Sequence, residues 1–122
     1  MEYGKLGDWK YRATEGFTLP TGIIPPKPIK THFSALDIEG NLTIDKGFCW
    51  DGATGAIDSE NIMRGSCVHD AFCNWQDQGY LDVEHRKQAD LLLKKIILED
   101  GMSEFRAGYV YGAVQTYVKI RY

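Results

Sequence analysis

The chain has 122 residues, 43% hydrophobic and 25% charged, with three Trp, seven Tyr and five Phe to fill a core. That size and balance exclude a wholly disordered chain and a comfortable split into two units, so one domain is expected over residues 1–122. A formal charge of -3 and dispersed Lys and Arg exclude a surface built to neutralise phosphates, and nucleic acid is not an expected partner.

The start, MEYGKLGDWKYRATEG, is charged throughout and lacks the apolar core of a signal peptide, and no stretch reaches membrane-spanning length. A cytoplasmic location is expected. Cys49, Cys67 and Cys73 are odd in number, and Cys67 and Cys73 lie too far apart along one expected helix to bridge, so reduced thiols are expected. A zinc site built from these cysteines and His69 would lack both a CxxC pair and a second clustered histidine.

In chain order, residues 1–48 read as strands and turns: an aromatic start at Trp9 and Tyr11, then Phe17 to Leu19, then Ile23 and Ile24 after Gly22. Pro25, Pro26 and Pro28 interrupt any ladder and predict an extended connector or a sheet edge. Leu36 and Ile38 alternate toward a Gly40-Asn41 turn, and Leu42 and Ile44 alternate away from it, which predicts a hairpin. Its second strand leads into Phe48-Cys49-Trp50-Asp51, so the acidic loop that follows is launched from a rigid support.

Residues 49–122 read as that loop followed by a helical core. Ser59 is the expected cap of a helix over 60–78, with Val68, Phe72 and Trp75 on its apolar side and His69 on a separate stripe with Ile62, Ser66, Cys73 and Gln76. Asp82 is the expected cap of a second helix over 83–99, where Ala89, Leu92, Leu93, Ile96 and Ile97 form a stripe and Gly101 ends the run. Ser103 is the expected cap of a third helix over 103–119, with a stripe of Val110, Ala113, Val114 and Tyr117. Gly108 and Gly112 on it predict close approach to a neighbour. The fold class is therefore α+β: a small antiparallel N-terminal sheet followed by three helices, the first two antiparallel because a short turn joins them.

Asp90 breaks the pattern of its helix. It lies roughly 20° from Ile97 on the helical wheel, at the border of the apolar stripe, where a carboxylate needs a partner. Two explanations are open: a partner on the first helix, or a side chain that simply reaches round to water or to Arg86 four residues back. An antiparallel pair brings Asp90 opposite His69, and a carboxylate on one imidazole nitrogen fixes the tautomer and leaves the other nitrogen to deprotonate water. Asp70, about 100° round the helix, points instead toward the loop. With Asp51 and carbonyls from Gly52 to Thr54 it offers an oxygen cage suited to Ca²⁺, although the spacing is not that of an EF-hand.

The pattern DGATG, a spacer, CVHDAFCN, and an Asp 21 residues after the His resembles the core of bacterial secreted phospholipase A2. From Phe33 onward it is also similar to a family of small phage and bacterial proteins of unknown function that carry a DGAS-like loop, an HD helix and an AD helix. The resemblance implies a phospholipase A2-like helix pair, His69 as general base, Asp90 as its orienting partner, and Asp51, Asp70, Gly52 and Thr54 as the Ca²⁺ set. The phospholipase disulfide would need cysteines at Ala53 and Ser66, and its tyrosine four residues past the His is here Cys73, which removes a hydroxyl from the supporting Asp. Two functions follow as expectations: a Ca²⁺-dependent hydrolase acting on a lipid or another ester or amide, and a non-enzymatic phage-associated accessory or assembly protein that keeps the scaffold and binds another phage protein.

Overall fold

The structure, a computed structural model, describes residues 1–6, 10–51 and 60–121, with side chains up to residue 115. Among the described residues, seven short strands precede three helices: β1 Tyr3–Lys5, β2 Lys10–Ala13, β3 Phe17–Pro20, β4 Ile29–Lys30, β5 Ser34–Leu36, β6 Asn41–Ile44, β7 Cys49–Asp51, α1 Glu60–Asp77, α2 Arg86–Glu99 and α3 Glu104–Arg121. The chain is α+β, and every strand pairing is antiparallel.

There are two small sheets rather than the one expected, in the orders β1-β2-β7 and β3-β6-β5-β4. Strand β7 lies past residue 48, so the N-terminal sheet region extends into the stretch read as loop; Tyr11 pairs with Trp50 across the ladder. Ile23 and Ile24 form no strand, consistent with the neighbouring prolines that remove backbone donors: Ile23 is buried and Ile24 exposed on a connector. Trp9 lies outside the described residues.

The expected hairpin forms, with Leu36 opposite Leu42 and Ser34 opposite Ile44. Asp37 organises its turn: Oδ1 accepts from the backbone N–H groups of Glu39 and Asn41, both at 2.9 Å. Those donors hold its carboxyl below the usual carboxylate range. Gly40 adopts φ +85°, which an L side chain would resist. Ile38 belongs to this turn rather than to the strand and is exposed, whereas Leu36, Leu42 and Ile44 are fully buried.

Helix α1 is the central element, and it buries residues on nearly every side, not only Val68, Phe72 and Trp75. Two indoles fasten it to the two sheets. Trp50 Nε1 of β7 donates to Ser66 Oγ at 3.0 Å, and Trp75 Nε1 donates to Ser34 Oγ of β5 at 3.2 Å. Its N-terminal half is clamped to the end of α2 by Arg64, whose guanidinium donates to Asp100 at 2.9 and 3.1 Å and to Glu99 at 3.3 Å. Between these fastenings Gly65 lets α2 approach: a Cβ there would stand 2.8 Å from Ile97 Cγ2 and 2.9 Å from Leu93 Cδ1.

Both neighbours of Gly65 are locked in the core, so Gly65→Ala should lower stability by about 1–3 kcal/mol although alanine is the better helix former. Urea unfolding checks this; an unchanged midpoint would show that Leu93 and Ile97 repack without cost.

Helix α2 follows the expected stripe, with Ala89, Leu92, Leu93, Ile96 and Ile97 buried. It starts at Arg86, after a single 3-10 turn at Val83–His85, and Asp82 makes no side-chain cap. The carbonyl of Asp82 is used instead, accepting from Gln76 Nε2 at 2.9 Å. Ser103 does cap α3, its Oγ accepting from Arg106 N at 3.3 Å. Ser59, the expected cap of α1, lies outside the described residues. Ala107, Val110 and Val114 bury the inner face of α3, while Ala113 is only half-buried. The expectation of close packing at Gly108 and Gly112 fails: both are exposed, and a Cβ at either would meet no atom within 4 Å.

Candidate functional site

Antiparallel packing of α1 on α2 brings His69 opposite Asp90, and His69 Nε2 stands 2.6 Å from Asp90 Oδ1. Asp90 is 1% exposed, so the carboxylate at the stripe border is fully withdrawn from water. It has a partner on the first helix and Arg86 as well, because Arg86 Nε lies 3.7 Å from the same oxygen. Arg86 is placed in turn by Gln76, whose Oε1 accepts from Arg86 Nη1 at 3.2 Å. One buried polar chain therefore runs from the Asp82 carbonyl through Gln76 and Arg86 to Asp90 and His69.

Helical spacing places the next turn of the His69 stripe over its other ring nitrogen. Cys73 is buried, and its Sγ lies 3.6 Å from His69 Nδ1. The partner of this thiol is thus the imidazole one turn back on its own helix.

The His69 imidazole is pulled in two directions. Burial disfavours its charged form, but the hydrogen bond to Asp90, followed by the contacts with Cys73, outweighs burial and lifts it to about 9. A neutral ring with its proton on Nε2 donates to Asp90 and leaves Nδ1 as acceptor toward Cys73.

Of the expected metal residues, only Asp51 and Asp70 lie among the described residues. Asp51 ends β7, exposed and opposite Lys10 in the ladder, and Asp70 is half-buried on α1 beside His69. Burial and then the charge of Asp70 push the Cys67 thiol well above its usual range. Gly52, Thr54 and Ala53 lie outside the described residues. Among the described residues no group of three or more His, Cys, Asp or Glu side chains is placed to hold a metal ion, which applies to the zinc combination as well. All three cysteines are free, Cys49 at the surface and the other two buried.

Gln76 and Ser66 were legible only as members of the His69 stripe. Ser66 serves as the acceptor for Trp50 and donates its own hydroxyl hydrogen bond to the Met63 carbonyl at 3.0 Å. Two open clefts, of about 930 and 510 Å³, border Arg64 and Asp100 in one case and Phe33 and Tyr80 in the other; neither is lined by His69, Cys73 or Asp90. Solvent reaches the imidazole only along the 12% of its side chain that stays exposed. No described helix is long and apolar enough to cross a membrane. No family model, curated protein or solved structure matches the chain.

Proposed function

We propose that this chain is a hydrolase of ester or amide carbonyls in which His69 is the general base and Asp90 holds it, an arrangement resembling the phospholipase A2 type. The observation that carries the reading is the 2.6 Å contact between His69 Nε2 and a carboxylate that is 1% exposed. A buried carboxylate on one ring nitrogen orients the imidazole and stabilises the proton that the ring takes up from an attacking group. Arg86, itself held by Gln76, places its guanidinium 3.7 Å from the carboxylate that orients the ring.

The donor set at Asp51 and Asp70 fits Ca²⁺ in kind, since both are hard oxygen ligands and no thiol is among them. Asp51 and Asp70, with backbone carbonyls from Gly52 to Thr54, would hold the ion, which when bound supplies a Lewis acid for the substrate carbonyl. On the sequence resemblance to small phage proteins, the proposed setting is a phage-associated one in a host cytoplasm. A second reading, an accessory or assembly protein without catalysis, is favoured by one observation: the Asp90 chain is so fully withdrawn from water that it also serves as a clasp between α1 and α2.

Hydrolysis of short-chain and phospholipid esters, assayed with millimolar Ca²⁺ and with chelator, separates the two. Turnover that needs Ca²⁺ and falls by about 10²-fold or more in His69→Gln is expected for the hydrolase. Because the base must be neutral, its rate should climb with pH and level off near 9, where the ring loses its proton. No turnover on either class of ester under these conditions supports the clasp.

A further inference from the structure

We propose that the hydrolase reading above, on which this inference rests, runs through Cys73 as a covalent nucleophile, with a short-chain acyl ester or thioester as substrate. Three groups stand in a row: the Cys73 sulfur 3.6 Å from His69 Nδ1, and His69 Nε2 2.6 Å from Asp90 Oδ1. This is the order of roles that activates a thiol, with nucleophile, base and orienting carboxylate each on its own atom. Direct attack by water would need a water molecule at Nδ1, the nitrogen on which the thiol already sits.

The row follows from chain geometry. Residues 69 and 73 are one helical turn apart on α1, so their side chains meet, while the carboxylate comes from α2 across the helix pair. The second buried thiol, Cys67, faces no such base; only desolvation and the charge of Asp70 act on it, and both disfavour its thiolate. Access narrows the substrate. With Cys73 7% exposed and the His69 side chain 12% exposed, little of either group reaches the surface, which favours a small acyl group over a bulky one.

The step balances within the site. The Cys73 S–H proton passes to Nδ1 as sulfur bonds to the acyl carbon, the carbon–oxygen or carbon–sulfur bond to the leaving group breaks, and the Nδ1 proton goes to that leaving group. Water then gives a proton to Nδ1 as its oxygen bonds to the thioester carbon. The bond to Cys73 breaks, the sulfur recovers the proton, and the free acid leaves. The Nε2 proton remains on the Asp90 side throughout.

The test is p-nitrophenyl acetate with the full chain in Ca²⁺, following nitrophenolate release on the millisecond to second scale and mapping acetylated peptides after acid quench. Expected are a burst approaching one equivalent per chain, an acetyl group on Cys73, and loss of both in Cys73→Ala, while exposed Cys49 is acetylated equally slowly in both proteins. A burst with no turnover still supports Cys73 as nucleophile and instead counts against the hydrolase reading. Steady turnover without a burst, with Cys73 unmodified and Cys73→Ala as active as the parent, overturns the thioester and leaves His69 acting on water. Neither turnover nor acetyl on Cys73 overturns both. The wild-type burst and peptide map decide the matter even where a variant folds poorly.

Discussion

Asp90→Ala should cost about 3–5 kcal/mol of stability near pH 6, the loss expected when one member of a buried ion pair is removed and the other is left without it. The residue is 1% exposed and sits between the His69 imidazole at 2.6 Å and the Arg86 guanidinium at 3.7 Å. Alanine would leave both cations buried and add a small void between α1 and α2. Asp90→Asn retains a hydrogen-bond acceptor and fills the same space, so it should cost less. Equilibrium unfolding in urea measures both. A loss below about 1 kcal/mol for the alanine variant would place Asp90 among ordinary surface residues, for which changes stay within about 0.5 kcal/mol.

Metal-free protein should become less stable as pH rises from neutrality toward 9, and His69→Gln should remove most of that slope. The ring titrates near 6.5 when unfolded and at about 9 when folded, so over this window the folded chain holds a proton that the unfolded chain has released. Its contribution is complete below pH 6.5 and is lost as pH passes 9, with a size on the order of 3 kcal/mol for a gap of this width. The groups facing the ring are Cys73 on its own helix and Asp90, backed by Arg86, on α2. Thermal or urea midpoints taken in chelator across pH 6 to 9.5 test the sign. A wild-type midpoint that is flat or rises over this range would contradict it.

Local periodicity carried much of the fold. Leu36, Leu42 and Ile44 alternate because one face of their sheet is buried, and Ala89 to Ile97 recur at helical spacing because one face of α2 is, so both elements were legible. Asp90 was legible as a violation of that spacing, and its need for a partner pointed across to His69. Strand β7 was not, because three residues carry no period and its pairing with β2 joins segments far apart in the chain. Asp82 misled because a residue type suited to capping need not cap: its side chain makes no cap bond, and its carbonyl accepts from Gln76. Gln76 and Arg86 carry ordinary polar side chains that become a second layer around Asp90 only once the two helices are packed.

Nitrogen-15 NMR of histidine-labelled protein, titrated in chelator from pH 5 to 10, tests most directly whether His69 is a base held by Asp90. His69 should stay protonated past neutrality and titrate near 9, with an Nε2-bound proton shifted far downfield, and Asp90→Asn should move the titration down toward or below 6.5. A His69 that titrates near 6.5 in the parent protein and does not respond to Asp90→Asn would contradict the dyad, and with it the proposed hydrolase.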